Sequence, residues 1–61
     1  MNSPFEVFIG KKVKAPYIDG KQIKVARGTL ESIEQGFVKI VGSLGTIIIN
    51  QKNIEKMSET K

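Results

Sequence analysis

The apolar and polar positions divide the chain into one short helical signal followed by a run of short β signals. Ser3-Pro4-Phe5-Glu6 sets a hydroxyl at a helix N-cap, proline at the first helical position and glutamate at the third, the order of a capping box. Phe5, Phe8 and Ile9 follow at i, i+3 and i+4 as one apolar stripe, and Gly10 is placed to stop the helix. This predicts a helix over about residues 4–9, too short to stand alone and so docked through its aromatics.

Beyond Gly10 the period changes to two. Lys12 to Tyr17 alternates, with Val13, Ala15 and Tyr17 on one face, and Pro16 marks an edge or an interruption because it cannot donate to a ladder. Asp19-Gly20 is the turn dipeptide of a type I′ hairpin. A long second run from Gln22 to Ile33 carries Gly28 at its middle, where a glycine permits a bulge or a sharp bend. Gln35-Gly36 is the next turn, and Phe37-Val38-Lys39-Ile40-Val41 reads as buried on both sides for part of its length. Gly42-Ser43-Leu44-Gly45 is a tight connection, and Asn50 to Asn53 breaks the run after Ile49 with turn-favouring residues. The predicted strands are about 11–18, 22–33, 37–41, 46–50 and 54–57, the last anchored by Ile54 and Met57, with 58–61 as a frayed tail.

The fold class is therefore mainly β: one domain over residues 1–61, with a short N-terminal helix and five short strands. Two full layers cannot be built from so short a chain. A strongly bent sheet closing into a small SH3-like or OB-like barrel buries one face and protects the edges.

Composition narrows the chemistry. With no Cys, His or Trp, disulfide scaffolds, thiolate or imidazole metal sites and any triad needing a His base are excluded. Glu31 and Glu34 stand without a His, a metal-ligand cluster or a phosphate loop, so no enzyme and no cofactor is expected, and Glu31 is read as balancing a cross-strand lysine. No apolar run approaches the roughly 18 residues of a membrane span, and Met1-Asn2-Ser3-Pro4 lacks the features of a signal peptide. The expectation is a soluble, cytoplasmic protein with no membrane contact and no small-molecule substrate. A domain of this size buries only about 60% of its unfolded surface, so self-association is expected.

In order and spacing the motifs resemble those of the Sm/LSm family. Gly10-Lys11-Lys12-Val13, Asp19-Gly20-Lys21, Gly28-Thr29-Leu30 and Ile33-Glu34 fall where the first Sm motif would put them. Ile48-Ile49-Asn50-Gln51-Lys52-Asn53-Ile54 is similar to the second motif, in which two apolar residues precede Arg-Gly-x-Asn and another apolar residue. The resemblance runs from Pro4 to Met57. It implies an N-terminal helix and a five-stranded barrel, in a homo-oligomeric ring of six or seven subunits. In such a ring the fourth strand of one subunit pairs with the fifth of its neighbour. It also implies single-stranded RNA as the partner, bound near the ring pore. The chain departs from the family in the nucleotide pocket: Asn50 and Gln51 stand at the Arg-Gly positions, and the turn between strands two and three is shortened to Glu34-Gln35-Gly36-Phe37, without an Asn.

Three groups are candidate RNA contacts. The whole net charge of +4 sits in residues 1–30, where Lys12, Lys14, Lys21, Lys24 and Arg27, together with Lys11, would meet a phosphate backbone. Tyr17, Phe37 and Phe5 could stack on bases, against a reading of Phe5, Phe8 and Phe37 as core. Gln35 and the polar run Asn50, Gln51, Lys52 and Asn53 could line a pore, against a reading of the run as turn chemistry. The alternative function is an SH3-like structural or protein-interaction barrel that binds no nucleic acid and pairs through exposed strand edges.

Overall fold

A computed structural model of the protein describes residues 3–60. Five antiparallel strands form one sheet: β1 (Lys12–Asp19), β2 (Gln22–Glu34), β3 (Phe37–Gly42), β4 (Gly45–Asn50) and β5 (Ser58–Glu59), in the order β4-β3-β2-β1-β5. The sheet is open, with no ladder joining β4 to β5, so the single chain does not close the expected barrel. Among the described residues, no helix is long and apolar enough to cross a membrane.

The N-terminal helix is a 3₁₀ helix, Pro4–Phe8, rather than a stretch reaching Ile9. Ser3 caps it, but its hydroxyl accepts from the Phe5 amide at 3.2 Å, while the Glu6 amide donates to the Ser3 carbonyl in place of a capping box. In a 3₁₀ helix side chains at i and i+3 eclipse. Phe5 and Phe8 therefore pack together against the core, and Ile9, one residue on, is exposed.

β2 is the hinge of the sheet. Its first part pairs with β1, its last part with β3, and Thr29 is shared between Lys12 and Val41. A bulge sets Glu31 and Ser32 against Lys39, three residues beyond Gly28, where a bulge or a sharp bend was expected. Gly28 instead permits a close backbone approach: a Cβ there would lie 2.4 Å from the Val41 carbonyl oxygen. In a flat sheet β1 and β4 would stand about 14 Å apart, three strand spacings. Here Tyr17, Ile18 and Asp19 line one groove with Ile47 to Asn50, so the sheet is strongly curled.

The core lies inside the curl: Val13, Ala15, Ala26, Leu30, Val38, Ile40, Ile49 and Ile54 are buried, and among the described residues no polar or charged one is. β3 is fully buried on one face only, with Val38 and Ile40 inward and Phe37 exposed, because no described element packs on the outer side of the sheet.

The first hairpin turn departs from the expected type I′ chemistry, and the second adopts it. The first loop is Gly20-Lys21, flanked by the Asp19↔Gln22 pair, and only Gly20 has positive φ, the pattern of a II′ turn. Gln35 and Gly36, at φ 51 and 82, are the pair that adopts the I′ pattern.

The C-terminal strand lies at 58–59, not at 54–57, and Lys61 of the expected tail falls outside the described residues. Residues 54–60 do run along β1, from a bridge at Tyr17↔Ile54 to the pair Lys14↔Ser58, but with one extra residue between. Pro16 explains the break. Its carbonyl accepts from the Glu55 amide, and the two polar groups of a strand residue point the same way, so its missing N–H faces this segment.

Candidate nucleic-acid interface

The candidate residues fall into two groups on different parts of the molecule. The first is at the end of the curl. After β4 the chain makes a 3₁₀ turn, Gln51–Asn53, capped by Asn50, whose side-chain oxygen accepts from the Lys52 amide at 3.0 Å. The Gln51 amide donates to the Gly36 carbonyl at 2.9 Å, which joins this turn to the β2–β3 turn. Gln35, Phe37, Asn50, Gln51, Lys52 and Asn53 thus lie together, and the β3–β4 register sets Phe37 opposite Asn50. Asn50 acts as turn chemistry, as one of the two readings held. The Gln51 Oε1 atom is buried and accepts no hydrogen bond, an uncommon condition for a buried acceptor.

A groove of about 250 Å³ connects Asn50 and Asn53 with Tyr17 and Asp19 across the curl. Tyr17 is half-buried and packs against the core, while Phe37 is 49% exposed on the outer face. Phe37 is therefore not a core aromatic, and it is the more open of the two for stacking.

The basic residues do not form one face, because strand side chains alternate. Lys12 and Lys14 of β1 and Arg27 of β2 are on the outer face, with register pairs Lys12↔Thr29 and Lys14↔Arg27. Lys24 faces the other way, opposite Tyr17, and Lys21 sits in the hairpin loop. Lys24 is tied to Asp19 at 2.7 Å, and that hydrogen bond and charge raise its pKa above the ordinary lysine value. A raised pKa means the pair favours the folded state below the unfolded value and loses that effect as pH climbs through the folded one. The pair is solvent-exposed and screened, so its effect is on placement of Lys24 rather than on the fold. Lys39 meets Glu31 at 3.0 Å, the cross-strand balance read from the sequence, and Lys11 meets Glu59 at 3.7 Å.

Lys12, Lys14 and Arg27 pair with no carboxylate among the described residues, and they line a hollow of about 410 Å³ with Thr29, Ser43 and Thr60. Those three hydroxyls were not singled out from the sequence. They are spread over half the chain, and only the strand register brings them together.

No protein-family model, characterised protein or solved structure matches the chain. The functional reading therefore rests on its own sequence and geometry.

Proposed function

We propose that the chain is a non-enzymatic, cytoplasmic Sm-like subunit that assembles into a homo-oligomeric ring of six or seven copies and binds single-stranded RNA. The observation that carries the reading is the pair of free edges. β4 and β5 end the strand order. The Gly36 carbonyl just before β3 accepts from the Gln51 amide just after β4, so by alternation the even-numbered positions of β3 bond toward β4, and Thr46, Ile48 and Asn50 turn their backbone groups outward from the sheet. Pairing of one copy's β4 with the next copy's β5 would satisfy those groups, complete a barrel around each core and cover Ile48, which is 64% exposed.

Such a ring would gather the Asn50–Asn53 turns and the β2–β3 turns around one axis. It would also repeat the +4 charge of each chain and so raise the local concentration of a polyanion. Native mass spectrometry at low micromolar concentration tests the assembly: a hexamer or heptamer supports the ring, and a monomer or dimer removes it. Fluorescence anisotropy with an oligouridylate over a salt series tests the ligand, with log affinity expected to fall linearly with log salt.

A second reading, a protein-interaction barrel without nucleic-acid binding, is favoured by the apolar outer side of the first hairpin, where Ile18, Ile23 and Val25 are exposed. No oligouridylate binding at low salt would select it.

A further inference from the structure

We propose that the hollow between β1, β2 and the β3–β4 turn is a binding site for one phosphate group. The argument begins with register. Lys14 stands directly across from Arg27, and Lys12 is two residues along β1 on the same face. Cβ atoms of such opposed residues are about 5 Å apart, and like charges placed so destabilise a sheet. Lys11, Lys24 and Lys39 each have a carboxylate within reach, yet these three cations have none among the described residues. The fold therefore gathers unbalanced positive charge at one point, where an anion would relieve it.

The hollow is also shaped by steric necessity. Its floor includes Gly28 and Gly42, and a Cβ at either would meet backbone of the neighbouring strand, 2.4 Å from the Val41 oxygen or 2.7 Å from the Arg27 oxygen. These close approaches hold β2 against the end of β3 and so fix the spacing of Arg27, Thr29 and Ser43 around the hollow. Around it stand Lys12, Lys14 and Arg27 together with Thr29, Ser43 and Thr60, and no Asp or Glu is among the described residues that line it. A guanidinium engages two oxygens of a phosphate at once, and the ammoniums act as point charges. Three cations match a phosphate monoester or diester better than a single carboxylate. Among the described residues no aromatic one lines the hollow, so it would read a phosphate and not a base.

The site shares no residue with the Asn50–Asn53 turn, and it does not depend on the RNA reading. Amide chemical shifts of the full chain, titrated with inorganic phosphate and with sodium chloride at matched ionic strength, provide the test. Saturable shifts at Gly28, Thr29, Gly42 and Ser43 are expected with phosphate alone. The Lys14→Gln and Arg27→Gln variants should each weaken them about tenfold. Lys14→Gln should also raise the melting temperature in phosphate-free buffer by removing the like-charge pair, and its melting should respond less to phosphate than that of the parent. Equal shifts in chloride, or shifts untouched by both substitutions, would overturn the proposal.

Oligouridylates with a 5′-phosphate and with a 5′-hydroxyl separate the two sources. A response to the first alone identifies a terminal monoester; a response to both identifies backbone phosphodiesters. If phosphate is silent while an oligouridylate shifts only Asn50 to Asn53, the hollow is wrong and the RNA reading stands. If phosphate saturates the hollow and neither oligouridylate binds anywhere, the hollow stands and the RNA reading falls.

Discussion

Gly28 and Gly42 face each other where β2 passes from β1 to β3, and neither can accept a methyl group without moving backbone. Gly28 has in addition a φ of +152, which L side chains rarely adopt. Overpacking of this kind costs about 1–3 kcal/mol, and with backbone strain added Gly28→Ala should lose roughly 3–5 kcal/mol. At about 0.05–0.15 kcal/mol per residue a chain of this length has only about 3–9 kcal/mol to lose. Urea unfolding should therefore find the Gly28→Ala midpoint lowered, with about half or more of the parent's stability lost. Gly42→Ala, with one close contact and no unusual φ, should stay folded with a loss of about 1–3 kcal/mol. Equal midpoints for Gly28→Ala and the parent would mean that the two strands can separate there without penalty.

At the scale of the element, the fifth strand shows how one residue redirects another segment. Pro16 supplies an acceptor to Glu55 but no donor beside it, and the pairing resumes only at Ser58. Pro16→Val restores the donor. A new hydrogen bond is worth about 0.5–1.5 kcal/mol. Loss of the proline frees the unfolded chain by about 0.4–1 kcal/mol. The two nearly cancel, so stability should change by less than about 1 kcal/mol while the new Val amide becomes protected from hydrogen exchange. An unprotected amide would show that the extra residue in segment 54–58, and not the proline, sets the break. The N-terminal helix makes a similar point. The three apolar residues Phe5, Phe8 and Ile9 are legible as a docking stripe, but the tighter 3₁₀ winding leaves only two of them facing the core.

At the scale of the whole molecule, the open edges carry the assembly argument, and Ile48 is where it can be broken without touching the subunit. Ile48 sits at a position whose backbone N–H points away from β3, a place where a strand tolerates proline. Ile48→Pro should keep the β circular dichroism of the parent, and native mass spectrometry should find monomer in place of the ring. A ring that survives this substitution would mean that assembly does not run through the β4 edge. The same variant separates assembly from anion binding, because Ile48 is not among the residues of the phosphate hollow.

The period-two pattern, the turn residues and the N-cap placed most of the strands and the start of the helix, because each is a local property that a few neighbouring residues determine. Val13, Ala15 and the anchoring Ile54 were legible as core for the same reason: alternation along a strand assigns its faces. Face assignment does not say which residues of other strands share a face. The split of the basic residues, with Lys12, Lys14 and Arg27 outward and Lys24 toward Tyr17, came from the β1–β2 register. The meeting of Thr29, Ser43 and Thr60 in one hollow came from the β2–β3 and β1–β5 registers, and the last strand starts only at Ser58, beyond the donor that Pro16 lacks. The join between the Gly36 turn and Gln51 likewise links residues far apart in the chain. Composition and pattern alone determined a small, mainly β chain with a basic first half. Which of its polar side chains share a face was decided by the tertiary structure, because register and curl depend on long-range backbone pairing, and side-chain identity at one position does not specify its distant partner.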